Sequence, residues 1–289
     1  MNLIESVYEL SKSFTDDPKY VFLNEKRIDE VIEEMKQSGK TDFPVHGIEG
    51  DVKSVLMELV AASINYCYWY GKWNIRPGGS SSTTMYQCVV DAFTGVHLED
   101  DNAFTNIAFA EVIHHLTELL AIRRFPLLEE RKRHLDQLVQ YGQEFAKIVV
   151  KEHTQILPLM ETLVATFPGF ASDMFLKRAS LFFIQLYRRF GWFEDDLFFL
   201  HVPADYQIPK MLNHFGCFLY DEDLEYKINT NQMIPPHSQA ECEIRASTIK
   251  TVRYICDKIN WNVAEVDSFF FLRRHDSQNP FHLTITTDY

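Results

Sequence analysis

Apolar residues recur at three- and four-residue intervals along almost all of this 289-residue chain. A chain patterned this way buries its core as packed helices. The strongest stretch is 51–70, where Val52, Val55, Leu56, Leu59, Val60 and Ile64 share one face, and the spacing predicts a long central helix. Residues 2–14 place Leu3, Val7 and Leu10 on one side. Residues 24–36 carry Ile28, Val31, Ile32 and Met35, with Asn24 as cap and Gly39 just past the end. Further helices are expected over 98–120, 127–150, 155–167, 173–190, 252–259 and 263–273. The region 72–87 reads otherwise. Its Arg76-Pro77-Gly78-Gly79-Ser80 cluster, followed by Thr83-Thr84-Met85-Tyr86, predicts a loop and a short hairpin. Residues 282–286 alternate and predict a short strand. Pro235-Pro236 breaks the chain between apolar flanks, as a loop within a domain does. The expectation is a mostly α fold, one domain over 1–289 in two intimate helical lobes with a cleft between them.

Composition narrows the function. The formal net charge is −13 and no lysine-rich run exists. Gripping a polynucleotide needs a basic surface, so docking on intact nucleic acid is not expected, although a local basic pocket can hold one phosphate. Cysteines stand singly at 67, 88, 217, 242 and 256, with no C-x-x-C pair. That opposes a disulfide framework or a zinc site and fits a reducing cytoplasm. No apolar run is long enough to span a bilayer. The start, M-N-L-I-E-S-V-Y-E-L, lacks a basic region and carries Glu5 and Glu9, so no signal peptide and no membrane partner are expected. The sequence fixes no oligomeric state.

The stretch 201–217, H-V-P-A-D-Y-Q-I-P-K-M-L-N-H-F-G-C, holds one carboxylate ahead of an amphipathic helix. Ile208, Met211, Leu212 and Phe215 mark the buried face, Pro209 falls in the first turn and Gly216 stands at the stop. Asp205 therefore sits at or near an N-cap, where the helix dipole favours its charged form. Locally it reads as a cap.

A second reading comes from resemblance. Ala204-Asp205-Tyr206, Pro209 and Leu212 resemble the A-D-Y-x-x-P-x-x-L motif of the queuosine salvage family, the queuosine 5′-phosphate N-glycosylases. In the same order along the chain, Asn65-Tyr66-Cys67-Tyr68-Trp69 is similar to that family's aromatic segment. Phe125-Pro126-Leu127-Leu128-Glu129-Glu130-Arg131, through Leu135 and Gly142, is similar to its P-L-x-E-E-R helix. Lys177-Arg178-Ala179, Glu241-Cys242-Glu243-Ile244-Arg245 and Pro280-Phe281-His282 complete the set. The Gly78–Thr84 run (78–84) and residues 91–102 depart from the pattern.

The resemblance implies a helical fold related to helix-hairpin-helix DNA glycosylases, with a mononucleotide in an interlobe cleft. It implies cleavage of an N-glycosidic bond through an oxocarbenium-like transition state, with Asp205 beneath or attacking C1′. No cofactor and no metal are expected. A 7-deazaguanine lacks N7, so the departing base needs help at its remaining polar edge and stacking from aromatic rings. Tyr66, Tyr68, Trp69 and Tyr70 are the candidates for stacking, and Tyr206, Phe199 and His201 for lining the pocket, although most buried rings serve a core and lone histidines are commonly structural. Lys177 is the expected phosphate ligand, with Arg178 expected to pair with a carboxylate. Arg245 is the second basic candidate, alongside a plain salt bridge to Glu241 or Glu243. Glu111 and His114 match an E-x-x-H metal spacing without a second copy. The Gly78-Gly79-Ser80 cluster lacks the lysine of a phosphate loop, and Glu194-Asp195-Asp196 reads as a solvated turn. Other readings are a glycosidase on a different purine or deazapurine nucleotide, a non-catalytic binder of modified nucleotides, and a helical metal–carboxylate protein.

Overall fold

Where apolar spacing is densest, helices form. A computed structural model describes residues 1–40, 43, 45–47, 49–95 and 106–289. It is mostly α, as the spacing predicts, with thirteen α-helices and one two-stranded sheet among the described residues.

One group of helices surrounds α3 (Val52–Ser63), every residue of which from Val55 onward is buried. Packed on it are α4 (Ser81–Gly95), α6 (Leu128–Lys151) and α9 (Lys177–Phe190). Helix α5 (Asn106–Ile122) lies against α4 and α6. Helix α7 (Ile156–Thr166) and the short α8 (Pro168–Ala171) close the far side. The second group surrounds α12 (Gln239–Ile259). It comprises α1 (Leu3–Thr15), α2 (Glu25–Ser38), α10 (Gln207–His214) and α13 (Val263–Leu272). Strands β1 (Val21–Leu23) and β2 (Phe218–Tyr220) pair antiparallel, with Phe22 opposite Leu219, and α11 (Glu222–Asn229) follows β2. One hydrophobic cluster runs through both groups.

Several expectations need correction. The helix expected over 51–70 stops at Ser63 because side chains take the carbonyls that its next turn would use. Buried Arg178 donates to Ser63 O at 2.6 Å, and buried Arg131 donates to Ile64 O and, at 2.6 Å, to Tyr66 O. Lys177 donates to Asn65 O at 2.8 Å. The chain then turns at Cys67, whose φ is 43°. The hairpin expected near 72–87 is a loop followed by α4, which begins at Ser81; Thr84, Met85 and Cys88 lie on its buried face. The strand expected over 282–286 is reduced to one bridge, Met233 to Leu283. The helix expected at 252–259 is the end of α12, which begins at Gln239 after the cap Ser238. Its first half was hidden because Glu241, Glu243 and Arg245 occupy buried positions that an apolar pattern misses. Residues 98–105 of the helix expected over 98–120, and most of the divergent stretch 91–102, lie outside the described residues.

Candidate functional site

Asp205 sits on the turn into α10. Its Oδ1 accepts the Gln207 N–H at 2.7 Å, and its own N–H reaches Pro203 O at 2.8 Å. Pro209 falls in the first turn of α10, and Ile208, Met211 and Leu212 are buried. A Schellman close ends the helix: Gly216 N–H meets Asn213 O at 2.9 Å and Cys217 N–H meets Leu212 O at 2.8 Å. Gly216 has φ 75°, so glycine suits that stop. The carboxylate is half-buried. Desolvation pushes its pKa above the ordinary value, against the pull of Lys177 and the Gln207 N–H. The expectation that the helix terminus dominates therefore reverses in direction, and burial wins.

Lys177 opens α9 and is 2% exposed. Its Nζ donates to Asn65 O and Asn65 Oδ1, each at 2.8 Å. Burial lowers its pKa to about 8, while Asp205 is the strongest influence in the other direction. The two feel each other's charge without forming an ion-pair contact. Arg178, the next residue, meets Ser63 O, Gly169 O and His134 Nδ1 (3.3 Å) rather than the expected carboxylate. Neutral His134 accepts there, since burial and Arg178 lower its pKa to about 3.

Arg245 on α12 is fully buried and engaged on every side. It holds Asp173 with both oxygens at 2.8 Å, lies 3.5 Å from Glu241, and donates to Ala204 O at 3.0 Å. Its guanidinium stacks between Phe175 and Tyr289. Asp173 in turn accepts the N–H of Lys177 at 2.7 Å. The Glu243 carboxylate accepts the N–H groups of Lys19, Tyr20 and Val21, which fastens the first strand to α12.

Aromatic rings flank this pair. Tyr206 packs on Phe281 with centroids 4.7 Å apart, and Trp69 meets the same Phe281 edge-on at 6.4 Å. Tyr70 is exposed and touches Trp69. Tyr68 is buried beside Trp73 and Phe125, its hydroxyl lacks a hydrogen-bond partner, and burial and Asp205 raise its pKa. Asp267 of α13 pairs with Arg188 at 3.0 Å, and its raised pKa, due first to burial, also feels Asp205.

The structure thus gathers Asp205, Lys177, Tyr206 and Trp69, with Tyr70 at the outer edge. His201 lies elsewhere. Its Nε2 is 2.6 Å from Ile4 O and its ring stacks on Tyr8, so it fastens α1. Phe199 is 60% exposed beneath Arg253. Asp173, Arg131 and Phe281 were not singled out as site neighbours, nor was Arg274, which feels the Asp205 charge. Asp173 had a signal, a carboxylate four residues ahead of Lys177. His114 pairs with Glu118 at 3.5 Å on the surface, and no three His, Cys, Asp or Glu side chains converge as a metal set among the described residues. Two grooves lie on other faces. One of about 540 Å³ runs between α5 and α6, and one of about 300 Å³ lies beside His134 and Gly169. Neither includes Asp205 or Lys177, and convergent buried charges mark a functional site more directly than groove size.

Fold and site together define a mostly helical protein in which a carboxylate at the start of α10 and a buried lysine at the start of α9 feel each other's charge. The chain belongs to the queuosine salvage protein family, whose sequence profile matches residues 49–271. It is similar to the queuosine 5′-phosphate N-glycosylase/hydrolase of Nematostella vectensis, 26% identical over 240 residues that cover 74% of this chain and 69% of that protein. The protein of that name from Sphaerobacter thermophilus is 27% identical over 213 residues, covering 66% of this chain and 65% of its own length. That of Schizosaccharomyces pombe is 28% identical over 171 residues, 52% of this chain and 49% of the relative. The matched spans thus run from about half to about two thirds of the relatives' length.

Proposed function

We propose that this chain hydrolyses the N-glycosidic bond of queuosine 5′-phosphate, releasing queuine and ribose 5-phosphate. The observation that carries this reading is Asp205 and buried Lys177 tied to one another through the Asp173–Arg245 pair, beside the stacked rings of Tyr206 and Phe281. Membership of the family supports the substrate. As the C1′–N bond breaks, positive charge builds on the sugar, and the Asp205 carboxylate stabilises it. A C1′–O bond to water replaces the broken bond, and the water's proton ends on the released base. The raised pKa of Asp205 suits a group that handles that proton. Tyr206, Trp69 and Phe281 supply flat faces for the deazapurine, with Tyr70 at the rim. Arg245 acts on this reading by holding Ala204, next to Asp205. The contacts of His201 and Phe199 leave them out.

The reading treats residues 1–289 as one catalytic unit with its cleft at the seam. It favours a free nucleotide over a polynucleotide because the net charge is −13. Five unpaired, buried cysteines support a reducing compartment such as the cytoplasm. No described helix is long and apolar enough to cross a membrane. The test is chromatography of queuosine 5′-phosphate incubated with purified protein. Release of queuine by wild type and its loss in Asp205→Asn is the expected result; base release that survives this substitution rejects the assignment.

A further inference from the structure

Glu130, Arg133, His134 and Gln137 follow i, i+3, i+4, i+7 spacing, so they form one polar stripe along α6. With Gly169 and Ser172 they line the groove of about 300 Å³. Gly169 suits that wall because a Cβ there would come within 2.9 Å of His134 Cδ2 and 3.0 Å of Gln137 Oε1. Two fully buried guanidiniums lie behind the stripe. Arg131 and Arg178 both rest against the Tyr66 ring, at 4.2 and 5.3 Å from its centroid. Arg178 connects them to the groove, since it donates to His134 Nδ1 at 3.3 Å and to Gly169 O.

Among the described residues, neither guanidinium forms an ion pair with a carboxylate. Arg131 donates to Pro126 O, Ile64 O and Tyr66 O, and Arg178 to Ser63 O, Gly169 O and His134. The C-terminus of α3 offers about half a negative charge, against two full positive ones. Arg178 also feels Asp173 and Asp288, but the first is held by Arg245 and the second by His237. A buried charge without a counter-charge is costly, and burial lowers the Arg178 pKa accordingly. Two donors of the same cluster, Arg178 Nε and the Tyr66 hydroxyl, are buried without a hydrogen-bond partner.

The stripe itself is set to donate. A guanidinium cannot accept, so His134 Nδ1 accepts, and the neutral ring carries its proton on Nε2. Gln137 Oε1 accepts the Gly169 N–H at 2.9 Å, which leaves its NH2 group as the other end of the amide. Neither of these Nε2 donors has a protein partner among the described residues. Exposed Arg133 adds a third donor group, and it offsets Glu130, the one carboxylate on this wall, at 3.2 Å. Donors on three side chains suit a ligand with several acceptor oxygens. We propose that the groove between α6 and α8 binds a small oxyanion of the phosphate or sulfate class, held by His134, Gln137 and Arg133 and serving as counter-charge to the buried Arg131–Arg178 cluster. This site is separate from Asp205 and Lys177, and it stands independently of the nucleotide reading.

The experiment titrates the full chain with inorganic phosphate at constant ionic strength and, separately, with chloride alone. Thermal midpoints and calorimetry read the binding. Gln137→Glu keeps the oxygen that holds Gly169 and replaces the amide donor with a charged acceptor. Arg133→Gln changes only an exposed side chain. Phosphate is expected to raise the wild-type midpoint saturably. Losing a hydrogen bond to a charged group corresponds to about 10- to 100-fold in affinity. Phosphate affinity should fall by about that factor in Gln137→Glu and by less in Arg133→Gln. A wild-type midpoint that shows no saturable rise, or a rise that chloride matches, overturns the proposal as a general salt effect. Equal affinity in wild type and both variants also overturns it, because phosphate then binds elsewhere, such as beside Asp205. Should Gln137→Glu fail to fold, Arg133→Gln decides alone: weaker binding supports the site and unchanged binding rejects it.

Discussion

Arg245 holds both carboxylate oxygens of Asp173 at 2.8 Å. This buried pair ties the first N–H of α9, at Lys177, to the carbonyl just before Asp205. Burial alone would raise the Asp173 pKa, but the charge and hydrogen bonds of Arg245 hold it below the ordinary value. Its contribution to stability is therefore present at neutral pH and lost as pH falls through the folded pKa. Arg245→Met strands a buried carboxylate and should cost about 3–5 kcal/mol in urea unfolding. Adding Asp173→Leu should recover part of that loss, since Glu241 is then the one carboxylate left without the Arg245 cation. A double variant no more stable than the single one contradicts this account.

Asp205 carries a raised pKa, so its charged form is less favourable in the folded chain than in water. A neutral isostere removes that penalty. Asp205→Asn should unfold at an equal or higher urea midpoint while losing on the order of 10²–10⁴ in rate. A variant that loses activity and stability together would mark Asp205 as a structural cap instead.

Lys177 titrates at about 8 because it is buried. Its folded pKa lies below the 10.5 of a free lysine, so the unfolded chain binds more protons between those values. Stability must then rise with pH from about 8 upward, by a total on the order of 3 kcal/mol at the top of that window. In Lys177→Met the rise should disappear. If charged Lys177 serves the reaction, kcat should also decline above about pH 8 in wild type. Urea midpoints from pH 7 to 10.5, beside a pH–rate profile, check both statements.

Helical spacing was legible because an apolar stripe is a local pattern, and α2, α9 and α13 appear close to where it puts them. The end of α3 was not, because it depends on Arg131 and Arg178 arriving from distant helices to take its carbonyls. For the same reason Arg178 read as an ion-pair partner, when its partners are backbone oxygens. The three-residue strands β1 and β2 are too short to alternate visibly. At the site, the order of motifs brought forward Asp205, Lys177 and Tyr206, while nothing local tells that His201 faces Ile4 rather than the turn it precedes.

Asp288 lies in the segment that presses on the site loop: the next residue, Tyr289, accepts the Cys67 N–H at 2.8 Å and stacks on Arg245 at 4.5 Å. Burial, and then the charge of Asp173, raise the Asp288 pKa to about 6, although His237 sits 3.1 Å away. Because the folded value lies above the ordinary 3.8, the folded chain binds the extra proton between them. Its stabilising effect is full below the unfolded value and is lost as pH rises toward about 6. Asp288→Asn mimics the protonated form, so at pH 7 it should be more stable than wild type by on the order of 2–3 kcal/mol. The difference should shrink to nothing near pH 4. Parallel stability curves that keep a constant gap from pH 4 to 7 would show that Asp288 does not titrate in this range.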